Sequence, residues 1–167
     1  MYKFLLFVVM LGVQVFSLSA QGNIKSSEPS VARQNTPKSA ITNVVDRAHT
    51  LIGTPYRWGG STLTEGFDCS GLLVYLFLNE ARIKLPRTTT AMQRSSAKNV
   101  ARKALKPGDA VFFNGNGRGR INHVGLYIGG GKFIHAPRSG KGVRIDSLAN
   151  AYWKKNFTLA KRFHSEA

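Results

Sequence analysis

Apolar residues recur at helical spacing from Ile41 through Val44, Val45, Ala48 and Ile52, and Gly53 and Pro55 close the segment. The pattern predicts a first helix. Residues 54–68 lack that period, and Gly59-Gly60 and Gly66 mark sharp turns in a loop. From Leu72 to Leu78 the chain is continuously apolar, so residues 69–80 read as a buried helix that Asp68 or Ser70 could cap. A third, weaker helix is predicted over residues 88–98. The texture changes after Pro107-Gly108. Residues 110–113, 123–128, 132–135, 142–145 and 157–163 are short strand-like runs divided by glycines. Helices first and strands second predict an α+β domain, its N-terminal helices packed on a central antiparallel sheet.

The start of the chain is patterned differently. Lys3 is followed by an uninterrupted apolar run from Phe4 to Val13, then by the small residues Ser17, Ser19 and Ala20. That order is the n-region, h-region and cleavage region of a secretory signal peptide. The run is far shorter than the ~20 residues a membrane-spanning helix needs. Residues 1–20 are therefore expected to be a signal peptide. Residues 21–40, rich in Ser, Gln, Asn and Pro, read as a flexible linker, and 41–165 as the folded domain. No cysteine lies near the cut, so the product is expected to be periplasmic or secreted, without a lipid or other stable membrane anchor. It is expected to be a monomer.

Composition narrows the picture further. Of 167 residues, 24 are Lys or Arg and 8 are Asp or Glu, a net charge of +16. A hydrophobic share of 43% excludes a disordered polycation, and 19% charged residues exclude a long coiled coil. One cysteine excludes an intrachain disulfide and a CxxC-type zinc site. The charge predicts an anionic partner, and export makes nucleic acid the wrong one. The excess is uneven. Residues 41–93 carry five basic and four acidic side chains, whereas 94–167 carry fifteen and three.

The single cysteine sits in Gly66-Phe67-Asp68-Cys69-Ser70-Gly71, where the buried helix should begin. A helix N-terminus offers positive potential and free N–H groups, and both favour the nucleophilic thiolate. On that ground the Cys69 thiol is expected to ionise well below the free value of ~8.5. A free cysteine is more often a small buried hydrophobe. Here the polar neighbours Asp68 and Ser70, and an odd cysteine in an exported chain, favour the reactive reading.

A nucleophilic cysteine needs a base. His123 opens one strand, His135 ends the next, and Gly129-Gly130-Gly131 joins them as a hairpin. Alternation puts His123, Gly125 and Tyr127 on one face. If residues 128 and 132 pair, His135 lies opposite Gly125 and diagonal to His123. A one-residue slip would part the imidazoles. The pattern thus permits a Cys–His–His constellation, with His123 as base and His135 orienting it. His49 and His164 read as ordinary surface or hydrogen-bonded residues. The stretch Gly115-Asn116-Gly117-Arg118-Gly119-Arg120 lacks both the GxxxxGK[ST] pattern and a following helix, so it reads as a loop and not a phosphate cradle.

Six motifs in order make a resemblance specific. They are Tyr56-Arg57-Trp58-Gly59-Gly60, Asp68-Cys69-Ser70-Gly71, Leu85-Pro86-Arg87, Pro107-Gly108-Asp109, His123-Val124-Gly125-Leu126-Tyr127-Ile128 and Phe133-Ile134-His135-Ala136. Over residues 41–163 the chain resembles the NlpC family of papain-like cell-wall cysteine peptidases. Tyr152-Trp153-Lys154-Lys155 further resembles the Spr-type (MepS) murein DD-endopeptidases. The resemblance implies a small papain-like α+β fold, Cys69 as nucleophile, His123 as general base and His135 as the third, orienting residue. It places Tyr56 beside the nucleophile and Asp68, Ser70 and Arg87 along the substrate groove. It implies peptidoglycan as the partner and no metal or organic cofactor. The implied reaction is cleavage of stem-peptide or crosslink amides, with D-Ala–diaminopimelate as the expected bond. The alternatives are D-Glu–diaminopimelate cleavage, or a wall amidase or acyltransferase on the same fold. An inactive wall-binding protein and an exported toxin are disfavoured by the intact Cys69, His123 and His135 and by the signal peptide.

Overall fold

The computed structural model describes residues 39–115, 120–138 and 140–165. The expected signal peptide and nearly all of the expected linker lie outside these residues. Helix α1, Ala40–Thr50, starts one residue earlier than the apolar period suggests, because the Ser39 side chain accepts the Thr42 N–H at 3.2 Å and caps it. It buries Val44 and Ala48. A two-stranded ribbon follows, β1 at Ser61–Thr62 and β2 at Gly66–Phe67. Helix α2, Cys69–Ala81, buries Leu72, Leu73, Leu76 and Phe77 and stops at Arg82, which adopts the left-handed conformation.

Helix α3, Thr89–Arg94, is shorter than expected. The Ser95 hydroxyl donates to the Met92 carbonyl at 2.7 Å. The Lys161 ammonium then holds the carbonyls of Ser95 and Ala97, both at 3.0 Å. The chain leaves the helix there and forms strand β3, Lys98–Val100. Strands β4 (Ala110–Phe113), β5 (His123–Gly129), β6 (Lys132–His135) and β7 (Arg144–Ser147) follow, then helix α4 (Ala151–Asn156) and strand β8 (Phe157–Arg162). The six-stranded sheet is antiparallel throughout, in the order β3-β8-β4-β5-β6-β7.

Strand β4 shows how the sheet is covered. All four of its residues are fully buried. Ala110 and Phe112 face the core shared with Val44, Leu72 and Leu76 of α1 and α2. Val111 and Phe113 face a second, aromatic core with Phe133 and Trp153. Both faces are therefore packed. A buried fork from Arg162 to Asp109, at 2.7 and 2.8 Å, ties β8 to the turn before β4. The α+β expectation holds. Strand β7 lies two residues later than the predicted 142–145, because residues 142–143 pair with the loop after α1 instead, through Gly53 N–H to Val143 O and Val143 N–H to Thr54 O, both 2.8 Å.

Candidate active site

Cys69 is the first residue of α2, and Asp68 is its cap. The Asp68 carboxylate accepts the Gly71 N–H at 2.6 Å, the Ser70 hydroxyl at 3.1 Å and the Gly59 N–H at 3.1 Å. Arg87 grips both its oxygens, at 3.0 and 2.9 Å, and also donates to Ser70 Oγ and to the carbonyls of Gly59 and Gly60. Burial alone would raise the Asp68 carboxyl, but the Arg87 guanidinium and the Gly71 N–H outweigh it and hold the group below the usual carboxylate range. Asp68, Ser70 and Arg87 line the cleft at Cys69. Their hydrogen bonds, however, run to one another and to the Gly59-Gly60 turn. They build the start of the helix more than they present groups to a ligand.

The cleft measures about 620 Å3, and Tyr56, Trp58, Thr89 and Asn122 also line it. The Cys69 sulfur lies 3.6 Å from the Thr89 hydroxyl. The backbone N–H of Val124, the residue after His123, also points at the sulfur, which sets the thiol beside the start of β5. The thiol is not depressed as the helix N-terminus suggested. Burial pushes it up. The Thr89 hydroxyl opposes that shift, the Asp68 carboxylate adds to it, and the N–H groups of Val124 and Ser70 oppose it again. Burial also raises the neighbouring Tyr56 hydroxyl, and the charges of Cys69 and Asp68 reinforce the shift.

The hairpin delivers the imidazoles in the expected register. Leu126 pairs with Ile134 and Tyr127 with Phe133, and the pairing slips only next to the turn, where Gly129 meets Lys132. His135 thus falls across from Gly125, on the same face as His123. Gly125 must lack a side chain, since a Cβ there would meet the Phe133 ring at 2.6 Å and His135 Cβ at 3.2 Å. His123 Nε2 lies 2.8 Å from His135 Nδ1. His135 Nε2 lies 2.9 Å from Asp146 Oδ2.

This series has a direction. An ionised carboxylate only accepts, so His135 donates from Nε2. Burial lowers His123 to about 3, with the neighbouring His135 adding to the shift. Burial also lowers His135 to about 4, although Asp146 partly resists. Both rings are therefore neutral near pH 7. A neutral His135 that donates from Nε2 accepts at Nδ1, so His123 donates from Nε2 and keeps its lone pair on Nδ1. That lone pair suits a base for a thiol.

Asp146 escaped the sequence reading, and Trp153 entered it only within the Tyr152–Lys155 motif, with no place in the site. Asp146 lay one residue past the predicted strand, and its true strand puts it opposite Phe133, diagonal to His135. Trp153 stands on α4, a helix of six residues whose only buried side chain it is. Its indole N–H donates to Asp146 Oδ2 at 3.0 Å, and its ring stacks on His123 with centroids 5.6 Å apart. Together with Phe113 and Phe133 it shields the imidazoles from water. Thr89 was also missed; it reaches the site only because α3 begins there. Among the described residues no group of three or more His, Cys, Asp or Glu side chains could hold a metal ion.

A thiol at a helix start, beside a hairpin carrying two hydrogen-bonded imidazoles, defines the papain-like class of α+β domain. Residues 53–162 match the NlpC/P60 family model, and the chain belongs to that family. It is 47% identical over 130 residues to the murein DD-endopeptidase MepH of Escherichia coli K12, a match covering 77% of this chain and 46% of that protein. It is 45% identical over 127 residues to the gamma-DL-glutamyl hydrolase of Bacillus subtilis 168, covering 76% of this chain and 30% of the relative. The chain thus spans less than half of either relative. An NlpC/P60 family protein of known structure from Bacillus cereus ATCC 10987 superposes with a TM-score of 0.69 at 31% identity, over 76% of this chain and 41% of that one.

Proposed function

We propose that this chain is a peptidoglycan endopeptidase that uses Cys69 as nucleophile, His123 as general base and His135 as the residue that orients it. The hydrogen-bond series His123–His135–Asp146 beside the Cys69 thiol carries the reading. His123 Nδ1 takes the thiol proton, and the sulfur forms a bond to the amide carbonyl carbon. The backbone N–H of Cys69, in the first turn of α2 where no helical carbonyl reaches it, stabilises the oxyanion. The Tyr56 hydroxyl lies in the same cleft. The tetrahedral adduct collapses, the C–N bond breaks, and the amine leaves with the proton held by His123. Water, deprotonated by His123, then opens the thioester and restores the thiol.

The bond we assign is the D-Ala–diaminopimelate crosslink. The likeness to a murein DD-endopeptidase and the Tyr152-Trp153-Lys154-Lys155 motif favour it. The excess of cations after residue 94 suits a branched substrate rich in carboxylates. The likeness to a gamma-DL-glutamyl hydrolase favours the rival bond, D-Glu–diaminopimelate within one stem. The leader pattern of residues 1–20 supports export to that substrate, and among the described residues no helix is long and apolar enough to cross a membrane.

Digestion of purified peptidoglycan followed by mass spectrometry of the muropeptides tests the reading. Conversion of dimers to monomers with intact stems is expected, and Cys69→Ala should abolish it while leaving the thermal melt unchanged. Persistent dimers with accumulating dipeptide stems would establish the rival bond. Turnover surviving in Cys69→Ala would remove Cys69 from its role.

A further inference from the structure

Trp58 is 85% exposed, more than any other large apolar side chain among the described residues. An indole is among the side chains that gain most from burial, so its exposure is a cost the fold leaves standing. The backbone on both sides of it is firmly tied. Arg57 N–H donates to Phe67 O at 3.0 Å, Gly59 N–H to Asp68 Oδ2 at 3.1 Å, and Arg87 to Gly59 O at 2.7 Å. Gly60 packs against the Gly66 carbonyl so closely that a Cβ would not fit. The segment that carries the indole is therefore locked to the same Asp68–Arg87 unit that caps the Cys69 helix, and its aromatic face is presented in advance of any ligand.

Trp58 also stands on a divide. On one side it lines the cleft that holds Cys69. On the other it lines a second hollow of about 490 Å3, with Arg57, Gly59, Gly60 and Glu65. That hollow has one aromatic wall and otherwise backbone and charged groups. An apolar side chain would want apolar walls all round. A pyranose ring fits better: one face is C–H, to lie on an indole, and its rim carries hydroxyl and acetamido groups, to hydrogen-bond to Arg57, Glu65 and the backbone.

We propose that Trp58 is a stacking platform for a sugar ring of the glycan strand, seated beside the cleft while the attached stem peptide crosses Cys69. The inference rests on the peptidoglycan reading above. It makes the enzyme a reader of the sugar as well as of the peptide.

The test compares Trp58→Ala and Trp58→Phe with the wild type on two crosslinked dimers, one bearing its saccharides and one stripped of them. Trp58→Ala should raise KM about tenfold on the glycan-bearing dimer, as expected for loss of one aromatic contact. The rise in KM on the stripped dimer should be much smaller, because only the glycan-bearing dimer loses a stacked sugar, and Trp58→Phe should keep most of the affinity. Equal losses on both dimers, or none on either, would overturn the platform. A second arm works without turnover. A peptide-free N-acetylglucosamine tetramer is titrated while tryptophan emission is followed, Trp153 being buried and Trp58 exposed. A saturable change that vanishes in Trp58→Phe supports the platform, and no change overturns it. If the wild type cleaves neither dimer, the peptidoglycan reading falls, and the saccharide titration alone decides the fate of the platform.

Discussion

Three side chains converge on one oxygen at Asp146. His135, Arg144 and Trp153 all donate to Oδ2. An asparagine at 146 would be forced to turn its carbonyl oxygen toward them, so it keeps the acceptor and loses only the charge. Asp146→Asn should therefore retain most turnover. Asp146→Leu leaves buried donors without a partner and frees His135 to change tautomer, so it should cost about 100-fold in kcat, within the range general-base catalysis supplies. His135 should behave alike: His135→Asn keeps a hydrogen-bond partner for His123, and His135→Leu does not. Equal loss in Asn and Leu variants, read as kcat on a crosslinked muropeptide, would show that hydrogen bonding at these positions is not what matters. The same residues set the pH profile. His123 is lowered to about 3 by burial, and Cys69 is raised by it. A thiol beside a neutral imidazole and a thiolate beside an imidazolium hold the same number of protons, so kcat/KM should vary less than about threefold from pH 5 to 8. A limb near pH 6.5 would mean that His123 titrates as it would in water.

Helix α2 meets the loop before it at Gly71, whose absent Cβ would overlap the Gly60 carbonyl oxygen. Helix propensity alone favours alanine here by ~1 kcal/mol. The contact is with backbone, which yields little, so Gly71→Ala should instead lower the urea midpoint. It should lower turnover further still, because it shifts the turn that carries Cys69. An unchanged midpoint with full activity would show that the loop gives way. Elements such as α2 were legible in the sequence because burial wrote a continuous apolar run from Leu72 to Leu78. The β5–β6 register was legible because the glycine turn and period-two alternation both constrain it. Strand β3, with exposed Lys98 and Asn99, and helix α4, with Trp153 alone buried, carry too few buried positions to write a period. Asp146 was hidden for a related reason. The run that suggested a strand at 142–145 is half committed to the loop after α1, so the strand was placed two residues too early.

Over the whole molecule, the buried imidazoles link stability to pH. Both His123 and His135 titrate lower in the fold than their unfolded value of 6.5. Between about pH 4 and 6.5 the unfolded chain binds protons that the native one refuses, so stability falls as pH falls through that window. The slope is at most about 1.4 kcal/mol per pH unit for each group. Asp68 and Asp146, both held low by their arginine partners against burial, extend the loss to lower pH. Urea midpoints should thus drop between pH 7 and 5, and less so in His123→Asn. An identical drop in that variant would place the linkage elsewhere.

Strand β8 comes last among the described strands, yet it lies inside the sheet, between β3 and β4. A nascent chain that has emerged only as far as Asn150 already holds Cys69, His123, His135 and Asp146. It still lacks Trp153 over the imidazoles and the strand that joins β3 to the rest of the sheet. Such long-range pairings form late in folding. The site is therefore finished last: until β8 slides between β3 and β4, the imidazoles wait without a settled indole cover, and the strand farthest along the described chain is the one that closes it.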